Sequence, residues 1–363
     1  MLKDEVAIVG CGTSAAAAAI VTASAGLKTL LVGSEWGPKP ILHTLSPRAR
    51  AALGPIQAAG ELDDAAFTPC ACRRSAWGSS AVAEIDAIYD PWGPARFVMQ
   101  PAFDRSMVRL ATESGAHRVP HSLVHAEASA GGWQLYLSSG SAIHAKFVID
   151  GSGRTASFAR KAGAVRVQVD RLMAAAVRSK PRGESFGFTF VESVADGWWY
   201  TGFTTNAQSS AVFFSDSDLP TARSAITAEG WTRLLRQTAH TRFLVGGTAV
   251  QPDVLRATSE YLSPCAGVNW AAVGDAQATY DPLSSEGLVQ ALESAQHAAR
   301  AVIAYFGGDE QAARYYRIAR ELAFLRYLSE RSRVYRMESR WPQAAFWKRR
   351  IAVENKVNRM EEI

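Results

Sequence analysis

The feature that most constrains this chain lies at its start. A β-branched run, Val6-Ala7-Ile8-Val9, opens directly into Gly10-Cys11-Gly12-Thr13-Ser14-Ala15, and an alanine-rich stretch follows to Ala25. After a Gly26-Leu27 break comes a second apolar run, Thr29-Leu30-Leu31-Val32. Strand, glycine turn, helix, turn, strand is the βαβ unit that binds a dinucleotide pyrophosphate. Gly10 permits the tight turn, Gly12 lets backbone N–H groups approach phosphate, and Ala15 lets the helix sit close to the sheet. The helix N-terminus adds partial positive charge. One position departs from the pattern. The acid that binds the ribose is expected about 20 residues on, where this chain has Gly33, and the nearest acid is Glu35. Either Glu35 reaches back or the ribose is held differently.

Composition narrows the class. The chain has 363 residues, 48% of them hydrophobic and 20% charged, an ordinary globular balance that excludes disordered and fibrous proteins. With 39 Lys+Arg against 34 Asp+Glu, the net charge is too small and too evenly spread to point to nucleic acid. The four cysteines (Cys11, Cys70, Cys72, Cys265) form no disulfide framework, and Cys70-Ala71-Cys72 lacks zinc-site spacing. No metal site is expected. No apolar run is long enough to span a bilayer, and Lys3-Asp4-Glu5 is unlike an export signal, so a cytoplasmic protein is the expectation.

A lone βαβ start serves NAD or FAD equally. Two later segments favour FAD: Phe147-Val148-Ile149-Asp150-Gly151-Ser152-Gly153-Arg154, and Ala271-Ala272-Val273-Gly274-Asp275-Ala276 followed by Asp281-Pro282-Leu283-Ser284-Ser285-Glu286-Gly287. With all three motifs in this order, residues 1 to about 305 resemble the superfamily of FAD-dependent aromatic hydroxylases, flavin-dependent tryptophan halogenases and geranylgeranyl reductases. The resemblance implies that Asp275 binds the ribityl chain and that Pro282 to Gly287 lies beside the isoalloxazine. The helix opening at Gly287-Leu288 would then stabilise the charge of reduced flavin. Arg74-Ser75-Ala76-Trp77-Gly78-Ser79, Gly197-Trp198-Trp199-Tyr200 and Asp281-Pro282-Leu283-Ser284-Ser285 are together most similar to a halogenase-like subgroup. Its members include flavoproteins that mature peptidyl quinone cofactors by oxygenating a tryptophan of a target protein. The cofactor contacts expected on this basis are Gly10, Gly12, Thr13, Ser14, Ala15, Glu35, Gln100, Asp275, Pro282, Gly287 and Leu288. Gln100 stands where the family often has an arginine three residues before Phe103-Asp104, leaving Arg96 or Arg105 to compensate or the flavin more loosely held.

Three departures argue against halogenation. The family's lysine belongs in Cys72–Trp77, yet no lysine occurs between Lys39 and Lys146, and arginine stays protonated and is a weak nucleophile. The family's glutamate position is Ser284, and the W-x-W-x-I-P signature is absent, with Trp198-Trp199-Tyr200 in its region. The expected activity is therefore hydroxylation of an electron-rich aromatic, tryptophan-like and either free or in a peptide or protein, through a flavin C4a-hydroperoxide. Arg74, Ser284 and Ser285 are the polar candidates nearest the flavin face, and Trp77, Trp198 and Trp199 the candidate substrate contacts. No second glycine-rich dinucleotide motif is present, so NAD(P)H would bind transiently or a separate flavin reductase would supply electrons. A reductase of the geranylgeranyl kind and a non-catalytic flavin-fold interaction module stay open as alternatives.

The expected fold class is α/β: a Rossmann-type FAD-binding domain of the hydroxylase kind, an antiparallel β-sheet substrate domain and a helical C-terminal region. Residues 1–75, 100–165 and 260–308 are assigned to the discontinuous FAD domain, 76–99 and 166–259 to the sheet, and 309–363 to the helical region. The period-two pattern of Ser185–Glu192, with the runs Trp198–Phe203 and Ser210–Phe214, reads as an antiparallel meander. Ile318, Leu322, Leu325 and Leu328 have helical spacing. From Arg314 to Arg350 eleven Lys/Arg face only three Glu, a charge excess that either docks an acidic partner or keeps a helix face solvated.

Overall fold

The computed structural model describes residues 3–34, 42–62, 67–90, 92–182, 187–204, 209–246 and 250–351. Strand β1 (Lys3–Val9), helix α1 (Thr13–Ser24) and β2 (Thr29–Val32) form the opening unit. A hairpin of β3 (Cys72–Ala76) and β4 (Ala83–Asp86) precedes α2 (Gln100–Glu113), β5 (His117–Val119) and β6 (Ala142–Asp150). The meander comprises β7 (Leu172–Pro181), β8 (Phe188–Val194), β9 (Gly197–Phe203) and β10 (Ser209–Asp216). The chain returns through β11 (Trp270–Ala272) to the long helices α3 (Gly287–Phe306) and α4 (Ala312–Arg336).

Strands β11, β6, β1, β2 and β5 lie side by side in that order, each neighbouring pair parallel. Residues 6–9, 29–32, 147–149 and 270–272 of these strands are buried without alternation, as parallel strands buried on both faces require. Helix α1 covers one face, and Ala15 to Ala19 are fully buried between the sheet, Phe103 and Met107 of α2, and Leu292 and Ala295 of α3. A helix so enclosed needs small residues all round rather than one apolar stripe.

The second sheet has the order β7-β10-β9-β8-β3-β4, antiparallel except where β8 runs parallel to β3. Successive residues alternate faces. Met173, Phe190, Trp199 and Phe213 form one face, packed beneath Trp231 and Leu235 of the helix Ala228–Arg236. Leu172, Trp198, Val212 and Phe214 form the other, packed against Tyr335, Phe346, Trp347 and Leu283. No helix among the described residues is long and apolar enough to cross a membrane.

Helix α4 buries an unexpected face. Tyr316, Arg320, Phe324, Tyr327, Arg331 and Tyr335 point inward, whereas Ile318 and Leu322 are 40% and 58% exposed. Part of the basic excess turns inward: Arg331 pairs with Asp170 and Asp281, and Arg350 with Asp216. Arg349 reaches Asp216 and Asp218, and Arg340 reaches Glu338. For these residues the matching carboxylates come from the sheet ends, the loop and the C-terminal segment, while Arg314, Arg326, Arg333, Arg336 and Lys348 stay exposed.

The segment after α4 is fastened to the sheet through Glu338, which accepts from the Gly78 N–H (2.9 Å), the Ser193 hydroxyl (2.5 Å) and Arg340 (2.6 Å). Burial works against its charge, but these donors outweigh burial and hold its pKa at about 2, below the ordinary 4.5. A depressed carboxylate stabilises the fold above its unfolded pKa and loses that contribution as pH falls toward the folded value. Denaturant titrations should therefore show the gap between wild type and Glu338→Gln, about 3 kcal/mol at pH 6, closing between pH 4.5 and 2. Separately, a Cβ at Gly151 would stand 2.8 Å from that of Ala15, so Gly151→Ala should cost about 2 kcal/mol in the same assay by pushing α1 off the sheet.

Candidate cofactor and active site

The three glycine turns meet at the carboxyl ends of β1, β6 and β11. Gly10 has φ +118°, and a Cβ there would lie 2.3 Å from the Gly151 carbonyl oxygen. Gly274 has φ +57°, and its Cβ would lie 2.5 Å from Ser14 Oγ. Gly10, Ser14 and Ala15 are thus in backbone-close contact with the two later turns. The Asp150 carboxylate, fully buried, accepts from Ser152 N–H and Oγ and from the Phe158 and Ala159 N–H groups at 2.6–3.0 Å. Burial pushes its pKa up and these bonds counter it. Asp150 shapes the turn.

Two helix N-termini open toward this junction. Helix α1 has Gly12 at its cap and α3 has Glu286, neither with a side-chain cap or an acid in its first turn. A Cβ at Gly12 would meet only Asp104 Oδ1, at 3.9 Å, and one at Gly287 would meet nothing within 4 Å. Asp104, from α2, accepts from Thr13 N–H (2.8 Å) and Oγ1 (2.7 Å). Asp275 keeps 45% of its side chain exposed, 3.6 Å from the Arg154 Nε. These helix ends, the glycines without neighbours and the available carboxylate fit a dinucleotide.

The ribose-binding end differs from the usual pattern for a steric reason. A Cβ at Gly33 would stand 2.9 Å from Cys11 Sγ and 3.0 Å from the Gly10 carbonyl carbon, so no acid fits there. Glu35 lies outside the described residues. Gln100 heads α2, partly buried; Arg96 donates to the Phe67 carbonyl at 3.1 Å, and Arg105 is exposed.

The loop before α3 is built on Asp281. Its buried carboxylate accepts from Leu283 N–H (3.0 Å), Tyr335 Oη (2.7 Å) and Arg331 Nε (3.3 Å), and its own N–H donates to Tyr327 Oη. Ser284 Oγ donates to the Asp281 carbonyl at 2.7 Å and accepts from Glu286 N–H at 3.2 Å, so it closes the turn. Ser285 follows with φ +53°. Pro282, Ser284, Ser285, Gly287 and Leu288 therefore occupy one short segment at the mouth of α3.

The roof residues divide between two faces. Trp198 and Trp199 are adjacent on β9 and point oppositely, each 1% exposed. Trp198 shares its face with Leu283; Trp199 packs against Trp231 on the far side. Trp77, half-buried, belongs to the Leu283 face and donates its indole N–H to the Val334 carbonyl at 3.0 Å. Arg74 is paired with Glu84 at 2.6 Å and lies over Phe188, on the Trp199 face. Alternation along β3 puts Arg73 and Ser75 on the Leu283 face instead. The expected grouping of Arg74 and Trp199 with Ser284 is thus not brought together, because consecutive strand residues cannot share a face. Asp104, Asp281, Arg331 and Tyr335 were not legible as site residues. Phe103-Asp104 marked a helix start, but its contact with Thr13 spans 91 positions.

The tryptophan halogenase family model matches residues 91–360. LodB of Marinomonas mediterranea, named as an FAD-dependent oxidoreductase, is 26% identical over 301 residues, covering 80% of this chain and 81% of its own. Peptidyl tryptophan dihydroxylase QhpG superposes with a TM-score of 0.75 at 22% identity over 96% of this chain and 79% of its own. The flavin-dependent halogenase CmlS does so with a TM-score of 0.83 at 21% identity, over 99% and 71%. These two structures establish a shared fold. With its three glycine turns joined and most of its length matched by the family model, the chain belongs to the tryptophan halogenase family and is an FAD-dependent oxidoreductase.

Proposed function

We propose that the protein is a monooxygenase that hydroxylates a tryptophan-like aromatic side chain carried by a peptide or protein, and that it does not halogenate. The observation that carries this reading is that, where the second sheet meets the flavin-side loop, neither β3 nor the loop carries a lysine. Strand β3 offers Arg73 and Ser75 there, and the loop offers Ser284 and Ser285. Without a primary amine, nothing is placed to capture hypohalous acid, and a permanently protonated guanidinium does not replace it. QhpG, whose name describes action on peptidyl tryptophan, supports the substrate class.

FAD, when bound and reduced, supplies the activation of oxygen. The chain's own groups then orient and enclose the substrate. The N-terminus of α3 stabilises negative charge at its mouth. Leu283 and Trp77, both part-buried, supply apolar surface that excludes water and accepts an indole face, with Trp198 packed behind Trp77. Indole is nucleophilic enough that no strong base is required of Ser284, whose proton is committed to the Asp281 carbonyl. Electrons come from NAD(P)H bound transiently or from a separate flavin reductase.

The test is to reduce the FAD-loaded protein without oxygen, admit oxygen with tryptophan-bearing peptides and excess bromide, and weigh the peptides. Added oxygen without halogen is the expected result; a brominated product would overturn the reading. Gly12→Val should keep the fold, since only Asp104 lies near that Cβ, yet weaken FAD binding about a hundredfold in a fluorescence titration by blocking the phosphate approach.

A further inference from the structure

We propose that Tyr335 is a positioning residue that joins the roof sheet to the flavin-side loop; this rests on the reading of that loop given above. Its hydroxyl accepts from the Trp198 indole N–H at 3.1 Å and donates to Asp281 Oδ2 at 2.7 Å. One oxygen thus connects the start of β9 with the first residue of the segment that leads into α3. All three side chains are buried, so in this low-dielectric setting neither bond is exchanged for water.

Arg331, one turn earlier on α4, makes the same connection from a second direction. Its Nε reaches Asp281 at 3.3 Å and its other end reaches Asp170 at 2.9 Å, and Asp170 in turn accepts from Leu172 N–H at the start of β7. The Tyr335 ring is set by Trp77 at 5.8 Å and Trp347 at 5.9 Å. Displacing the roof relative to the loop must break a charge-assisted bond to a buried carboxylate, so the two move together. The tyrosine hydroxyl touches neither turn glycines nor helix mouth, and it acts through Asp281.

The experiment compares wild type, Tyr335→Phe and Trp231→Phe for FAD dissociation constant, visible spectrum of the bound flavin and melting temperature. Trp231→Phe is the control: its buried indole N–H donates to the Ala175 carbonyl at 3.1 Å on the opposite face of the sheet, in a cluster that contains neither Tyr335 nor Asp281. Tyr335→Phe should weaken FAD about tenfold, equivalent to about 1.4 kcal/mol, and shift the flavin spectrum. Trp231→Phe should lower the melting temperature with affinity and spectrum unchanged. Wild-type affinity and spectrum in Tyr335→Phe, or equal effects of the two variants, would overturn the positioning role. Wild type that binds no FAD would overturn the functional reading along with it. Should Tyr335→Phe not fold, Asp281→Asn carries the same comparison, with the same overturning outcomes.

Discussion

Glycines packed directly on their neighbours, with no side chain of their own between, hold this molecule's centre. The Gly10 turn lies against the Gly151 carbonyl, Ala15 against Gly151, and Ser14 against Gly274. These contacts bring together segments more than two hundred residues apart, and everything that could bind a dinucleotide is placed relative to them. They also explain why α1 is a run of alanines: larger side chains would move its N-terminus off the carboxyl ends of the strands, where the open N–H groups must point.

The parts of the fold that follow from local periodicity were readable from residue order. The βαβ start, the two later glycine turns and the β8-β9-β10 meander all carry their signal within a few neighbours. Site residues were less so, for two physical reasons. Arg74, Trp198 and Trp199 were grouped by residue type, but the period of two in a strand separates Trp198 from Trp199 and sends Arg74 to the Trp199 side. Asp104, Arg331 and Tyr335 act through contacts 50 or more positions away, which no local pattern encodes.

Helix α4 shows the same limit in its charge. Arginines at helical spacing read as a solvated face, because burying a guanidinium is costly unless a carboxylate is buried with it. Here Asp170, just before β7, and Asp281, in the loop, are buried with Arg331, and that guanidinium turns inward. The exposed Ile318 and Leu322 are the counterpart of that inversion. A helix that looked peripheral is therefore a strut between the two sheets.

The crowding at Gly33 has a consequence for anyone wishing to redesign the adenosine end. In many Rossmann units the end of the second strand is where nucleotide preference is tuned by exchanging one acidic or basic residue. In this chain the slot is closed by Cys11, whose thiol donates to the Gly33 carbonyl at 3.1 Å. Any side chain introduced at 33 must first evict that sulfur and unseat the Gly10 turn, so nucleotide selectivity here is insulated from single exchanges at its customary address.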